Sequence, residues 1–580
     1  MRLIFYVVLC TLELIKHTEC VEVESTHGKV SGKLLKTLLK EVEYHGFMGI
    51  PYAAPPLKDL RFLPPRPVDP WPGVLSATSG KIPCIQHSGN VKRGQRIGSY
   101  GTEDCLYLDI FTPAPDNNKR PVIVFLHNEY LKYAYNKTRD YAPDFFIEED
   151  VVIATISHRL SVLGFLSLDD EVLQGNAGLK DIVTGLEWIR NNADRFGGDR
   201  NRITLMGSQG GAVAVDLLIH SNARKLFNSA ILQGGTSWAS MYLQDKARER
   251  AVKLAEIFEI HTKNSERLLK ELCDIPPKDL LVKDLEAVPK DYNKENQRSL
   301  LPFGPIVERE GGLVTDYPER SSEMDVPVMI GFNSREGLEK SLQYLIEPKY
   351  LSFAEKDFVL IMPEREDYRF DPEDEAYYDA VKDIKNFYFP KGKVTIRRAP
   401  EYVTYIGDVF TVPIDSMTKH YAKISSEPVY YYHFDLDSDL NENKKDVMRL
   451  STVADGTWGA AAGDELCYLF KCPRLKDNYL RHHKKDSEEI SFIRKMVRMW
   501  TNFAKHGNPT PEGDIVLGDL RWPPYTTDNK EYLHIDRTIT IKQNLNKDRF
   551  QFWQDFSKKW KKKAVNGVVV STSENKRDEL

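Results

Sequence analysis

The first stretch of this 580-residue chain that invites a chemical reading is Gly207-Ser208-Gln209-Gly210-Gly211. It follows an apolar run, Arg202 to Met206, and precedes a helical pattern, Ala212 to His220. A sharp strand-to-helix turn of this kind is where a nucleophilic serine is presented for acyl transfer. That reaction also needs a histidine to take the serine proton and a carboxylate to orient the histidine. It needs backbone amides aimed at the developing oxyanion as well. Ser208 has the side chain of a nucleophile, whereas the amide of Gln209 cannot attack a carbonyl. Which of the two stands at the apex of the turn decides what the turn can do.

The surrounding pattern supplies the scaffold. Val122 to His127, Val151 to Ile156, Arg202 to Met206 and Ala230 to Gln233 are short apolar runs. Helical patterns such as Leu179 to Asn191 and Ala212 to His220 lie between them. Buried runs alternating with helices predict an α/β fold with a large, mostly parallel sheet covered on both faces. Val328 to Gly331 and Val429 to His433 are expected to extend that sheet, and Ser487 to His506 to form an amphipathic helix against it. Lys246 to Leu272 reads as one or two helices, and Glu364 to Lys385 as a partly exposed insertion. The formal charge of −5 is mild and mixed along the chain, which gives no reason to expect nucleic-acid binding.

Both ends carry addresses. Arg2 followed by an apolar run from Leu3 to Leu12, with Thr18 and Cys20 before a cleavage point, reads as a signal peptide over residues 1–20. The run is too short to cross a bilayer, and no later segment is long and apolar enough to be expected to do so. Arg577-Asp578-Glu579-Leu580 differs by one basic-for-basic change from the Lys-Asp-Glu-Leu signal, so a retention receptor of the endoplasmic reticulum is the expected partner of the tail. The expected plan is therefore a signal peptide over 1–20, one domain over 21–555 and a flexible tail over 556–580, all in the lumen of the secretory pathway. Asn136-Lys137-Thr138 is a glycosylation sequon usable there. Of 7 cysteines, Cys10 and Cys20 leave with the signal peptide. The remaining Cys84, Cys105, Cys273, Cys467 and Cys472 are odd in number, so at least one thiol stays unpaired.

Longer motifs carry a resemblance. Phe47 to Pro56 with Leu60-Arg61-Phe62, Glu103 to Asp109, Asn176 to Asp181, Phe196 to Asp199, and Trp500 to Ala504 with Gly507-Asn508-Pro509 occur in this order. Together they resemble the type-B carboxylesterase and cholinesterase family over roughly residues 22–555, with wording most similar to insect-type α-esterases. The resemblance implies an α/β-hydrolase fold, a Cys84–Cys105 disulfide and an Arg61–Glu103 pair. The loop Ile85 to Asp104 contains no tryptophan, so the choline-binding aromatic of cholinesterases has no counterpart there.

Against that family the chemistry is depleted. The family reads Gly-Glu-Ser-Ala-Gly-Gly at the turn, and an ungapped match puts Gln209 at the serine position. A one-residue deletion must lie between Ser208 and Leu226-Phe227. Placed in the turn it would make Ser208 the nucleophile; placed in the loop Ser221 to Lys225 it leaves Gln209 there. Loops tolerate deletions better than strained turns, which favours Gln209. The family's His-Gly-Asp-Glu-Leu context is Ala462-Gly463-Asp464-Glu465-Leu466 here, so Ala462 replaces the base. None of the 14 histidines lies in that context, and His482 and His483 fall in a charged stretch that reads as exposed loop. The oxyanion segment His-Gly-Gly-Gly-Phe becomes His127-Asn128-Glu129-Tyr130-Leu131, in which three side chains crowd a turn built for glycine. Glu336, in Gly331-Phe332-Asn333-Ser334-Arg335-Glu336-Gly337, keeps the triad-acid position.

The expected protein is a carboxylesterase-like pseudoenzyme without cofactor or metal. It is expected to bind a hydrophobic small molecule or a partner protein, the rival being an ester hydrolase that uses Ser208.

Overall fold

The side-chain alternation of one strand explains the layers on either side of it. In the computed structural model, which describes residues 20–88, 98–134, 141–453 and 458–571, Arg120–Asn128 is a strand buried along its whole length. Val122, Val124 and Leu126 point into one hydrophobic core, and Ile123 and Phe125 into a second. The same split recurs at Leu205 against Met206, Leu232 against Ile231, Ile330 against Met329, and Tyr431 against Tyr430. A period of two divides each apolar run between two faces, so both faces need a cover of helices.

The strands are β1 (Cys20–Ser25), β2 (Gly28–Lys36), β3 (Glu43–Pro51), β4 (Tyr107–Thr112), β5 (Arg120–Asn128) and β6 (Val152–Ile156). They continue with β7 (Gly198–Gln209), β8 (Ser229–Gln233), β9 (Val328–Asn333), β10 (Val429–Phe434), β11 (Glu531–Ile535) and β12 (Ile539–Gln543). Their spatial order is β1-β2-β3-β4-β6-β5-β7-β8-β9-β10-β11-β12, with Val74–Ser76 pairing with β2 at one side. From β6 through β11 every neighbouring pair is parallel. The antiparallel strands lie at the two ends.

Helices α1 (Ala177–Asn192), α2 (Gly210–Ile219), α3 (Ala399–Ile424) and α5 (Lys547–Lys561) supply buried residues to the first core. Helix α4 (Glu488–His506) supplies Ile490, Phe492, Met496, Trp500 and Phe503 to the second. The expected fold class therefore holds. Cys84 is bonded to Cys105, and Arg61 Nε lies 2.6 Å from Glu103 Oε1. Cys467 and Cys472 form a second disulfide, leaving Cys273 and the exposed Cys20 free.

The segment read as a partly exposed insertion is so: its helix Glu375–Tyr388 buries Tyr377, Ala380 and Ile384 and exposes Tyr378, Asp379 and Lys382. Two expectations need correcting. The domain does not stop at 555: α5 runs across that boundary, burying Phe556 and Trp560, and Val568–Val569 pairs with Arg369–Phe370. The packed chain thus continues past 555, because aromatic residues spaced along the lysine-rich stretch anchor its apolar face. His482 lies on a helix, Lys476–Lys485, and its Nε2 sits 2.8 Å from Asp439 Oδ1. The signal peptide (apart from Cys20), Asn136 and the terminal Arg577–Leu580 lie outside the described residues.

One buried ion pair fixes the start of α1 against the N-terminal strands. Arg159 donates to both carboxylate oxygens of Asp181, at 2.8 and 2.5 Å. It also donates to the carbonyls of Arg61 and Leu63. Removing one partner of a buried pair leaves an uncompensated charge, at a cost of about 3–5 kcal/mol. Asp181→Ala is expected to lower unfolding free energy by that amount, read as a fall in the urea midpoint; a change below about 1 kcal/mol would show that the pair is dispensable.

Candidate functional site

The site begins where β7 ends. Gln209 has φ 52° and ψ −114°, a conformation outside the ordinary wells, and α2 starts at the next residue. The turn is tight enough that glycine is required beside it: a Cβ on Gly211 would lie 1.9 Å from the carbonyl oxygen of Leu126. Gln209 is buried, its Oε1 has no hydrogen-bond partner, and its Nε2 approaches Gly463. Ser208 is one residue earlier, inside the ladder, between His127 of β5 and Gln233 of β8. It is fully buried with an unpaired Oγ. By alternation it shares a face with Met206, which lies in the core opposite that of Leu205. The apex of the turn and Ser208 therefore face opposite sides of the sheet.

The segment after β5 folds over the start of α2. A Cβ on Gly210 would lie 2.0 Å from Asn128 Oδ1 and 2.6 Å from Leu131 N. Tyr130 and Leu131 both take left-handed φ, 53° and 57°, without the freedom of glycine. Asn128 holds the bend: its Oδ1 accepts from Leu131 N at 2.9 Å, and its Nδ2 lies 3.3 Å from His158 Nε2. His158 Nδ1 lies 3.1 Å from the Arg159 carbonyl oxygen, so the proton sits on Nδ1 and Nε2 accepts. One amide of the loop is thus tied to a side chain of the same loop. Over the bend, Lys340 Nζ sits 4.4 Å from the Tyr130 ring centroid and 5.2 Å from that of Phe410. Burial lowers the Lys340 pKa to about 8, opposed by the charge of Glu129.

The acids gather on the other side of Gln209. Glu336 is buried and accepts from Asn333 N at 2.9 Å. Glu465 accepts from Gln233 Nε2 at 3.1 Å and from Asn333 Nδ2. Asp464 accepts from the backbone amides of Ala461 and Asn443, at 2.7 and 2.8 Å. Ala462 is buried, and its carbonyl accepts from Asn443 Nδ2 at 2.8 Å. Burial, reinforced by neighbouring carboxylates, holds Glu336 well above the usual carboxylate range. Burial likewise pushes Asp464 up to about 8 and Glu465 up to about 7.

The structure thus brings Gln209, Glu336, Ala462 and the loop Asn128–Tyr130 to the parallel-strand ends, with Ser208 inside the ladder beside Gln233. The sequence reading missed Asn333, Gln233 and Lys340. The first two look like ordinary strand-end residues, and nothing in sequence spacing places Lys340 over Tyr130.

A strand, a strained apex residue and a glycine-packed helix at the centre of a mostly parallel sheet define an α/β-hydrolase. Comparison narrows the class: the chain belongs to the carboxylesterase family, whose model matches residues 18–553. It is similar to Esterase E4 of Myzus persicae, 30% identical over 521 residues that cover 86% of this chain and 88% of that protein. Carboxylesterase 1E of Mus musculus is 30% identical over 562 residues, 92% of this chain and 93% of the relative. Venom carboxylesterase-6 of Apis mellifera is 26% identical over 550 residues, covering 92% and 94%.

Two measurements probe this site. A strained non-glycine conformation costs about 1–3 kcal/mol, while glycine costs roughly 0.5–1 kcal/mol more than alanine in regular structure. Gln209→Gly is expected to stabilise the protein by about 1 kcal/mol in urea unfolding; destabilisation would mean that the amide makes a contact that matters more. The second is pH. Asp464 and Glu465 keep protons in the folded state that the unfolded chain, with pKa values of 3.8 and 4.5, releases. Stability is therefore expected to be greatest below about pH 4 to 5 as far as these groups are concerned, and to fall as pH rises through about 7 to 8. Glu465→Gln should flatten part of that fall; an unchanged slope would refute the assignment.

Proposed function

We propose that this protein is a non-catalytic member of the carboxylesterase family that binds a hydrophobic small molecule in the lumen of the endoplasmic reticulum. The observation that carries the reading is the side chain at the apex of the turn. Gln209 has the strained dihedrals expected of a nucleophile's position, yet its amide has no nucleophilic oxygen or sulfur to activate. Ala462 offers no proton acceptor beside it, and Glu336 orients nothing but a backbone amide. The amide at Leu131 is already bonded to Asn128, and Glu129 would repel an oxyanion. Loss of a single triad member costs orders of magnitude in rate, and three parts are replaced together here.

A binding role is favoured by the completeness of the rest of the fold and by aromatic-lined space. A cavity of about 580 Å³ is lined by Tyr344, Tyr350, Phe358, Tyr402 and Tyr405, among others. Lys290, Asp291, Lys294 and Asp357 line it as well, so its size suits a drug-sized ligand with an apolar body and a polar end. The luminal placement rests on the apolar N-terminus, the sequon at Asn136 and the terminal Arg577-Asp578-Glu579-Leu580, which would engage a retention receptor. No helix among the described residues is long and apolar enough to cross a membrane.

The purified protein is expected neither to hydrolyse an aryl acetate nor to react with a fluorophosphonate probe, and Ser208→Ala should change neither result. Turnover lost on Ser208→Ala would overturn the reading in favour of an ester hydrolase. Native mass spectrometry of protein from its own source should show a co-purifying small molecule. A stoichiometric protein partner instead would make this an assembly factor.

A further inference from the structure

A second constellation lies at the far end of the same sheet, on strands that the candidate site does not use. Strand β10 ends in His433-Phe434 and is followed by Asp435, while β11 carries His534. His433 and His534 are register partners across the parallel pair, and Phe434 pairs with Ile535. The ladder continues one step further, because Asp435 N donates to the Ile535 carbonyl at 2.8 Å. Alternation therefore holds through residue 435. It sends Phe434, Leu533 and Ile535 into one core and turns His433, Asp435 and His534 to the opposite face. The two imidazoles lie nearly parallel, with centroids 5.7 Å apart and planes 16° from each other.

We infer that His433, Asp435 and His534 form a binding site for a late first-row divalent cation, Zn2+ being the best match. One candidate ligand atom from each residue lies within 4.8 Å of the other two. Ligand atoms bound to zinc at about 2.0–2.2 Å stand roughly 3–4 Å apart, so an ion draws this cluster in by about an ångström. Independent support comes from the histidines. Both are more than nine-tenths buried, and Nδ1 of each has no hydrogen-bond partner. A buried ring nitrogen without a partner is unfavourable, and a cation shared by two register-paired histidines would take up a lone pair from each. Two imidazoles and one carboxylate suit zinc, cobalt, nickel or copper and poorly suit calcium or magnesium, which prefer an all-oxygen shell. Three protein ligands leave a fourth position for water.

The local field sets the strength. Arg335, Arg549 and Lys542 all bear on His433. Two of these charges have partners of their own: Arg549 lies 3.2 Å from Asp408, and Arg335 donates to the Trp458 carbonyl while stacking 4.4 Å over its ring. Their residual repulsion points to micromolar rather than tighter affinity. The gain from binding falls on the short β10–β11 pair, whose register covers residues 432–434 and 533–535 and is extended only by the Asp435 amide.

The test uses the untagged full-length protein made in a secretory host and stripped with chelator. Titration calorimetry with Zn2+ is expected to give one ion per chain, with Co2+ giving the visible absorption bands of a low-symmetry site at the same stoichiometry. Losing an outer-shell partner typically weakens metal binding 10–100-fold, so loss of a direct ligand should weaken it by roughly 100-fold or more. Both His534→Phe and Asp435→Asn should show that loss, and both should abolish the rise in Tm that Zn2+ gives the unmodified protein. Asp435→Asn keeps the shape of a half-buried side chain, so it decides the matter even where His534→Phe fails to fold. Binding no tighter than millimolar, or binding that survives Asp435→Asn and is lost on His482→Gln, would overturn the assignment.

Discussion

The strained turn at Gln209 is the constraint around which the rest of the site is arranged. Its positive φ sets the exit angle of β7 and brings α2 back across β5, with Gly211 against the Leu126 carbonyl. That contact leaves no room for a β-carbon, and Gly210 meets the Asn128 bend in the same way. The loop after β5 and the start of α2 thus fix each other's paths. A conformation of this cost persists only because strands β5 and β8 hold β7 from both sides. The geometry belongs to the fold, and the apex side chain decides only what the geometry can be used for.

Around that turn the polar groups have been put to structural use. Asn128 and His158 brace a bend in which Tyr130 and Leu131 accept left-handed dihedrals. Glu465 joins β8 and β9 through Gln233 and Asn333. Asp464 holds the loop of Ala462 to that of Asn443. These acids are buried with hydrogen-bond donors and without a cation, so their proton affinity rises. A hydrolase would couple such an acid to a histidine. Here the network ends in backbone amides and carboxamides at the strand ends.

Much of this was legible in the sequence because the signals are local. Apolar runs of five or six residues between helical patterns gave the parallel strands, and the glycines around Gln209 marked the turn. Other features were not legible, for identifiable reasons. The tail from residue 556 reads as flexible until Phe556 and Trp560 are seen on a helix against the first core. The Cys467–Cys472 bond depends on a turn between a short helix and the next segment. His534 lies about a hundred residues from His433 and Asp435, and only strand order places them side by side.

Residue types alone determined which side chains the turn and the loop of Ala462 carry, a glutamine amide and an alanine methyl. They also settled the layered α/β plan, because period-two and period-3.6 patterns are properties of the chain. Tertiary structure showed that Gln209 takes the strained dihedrals at the exit from the ladder while Ser208 stays inside it. The distinction turns on which residue exits the ladder with positive φ, and only hydrogen bonds to β5 and β8 determine where the ladder ends. It also decided which distant side chains share a face, since register between strands is fixed by packing on both sides of the sheet rather than by any one segment.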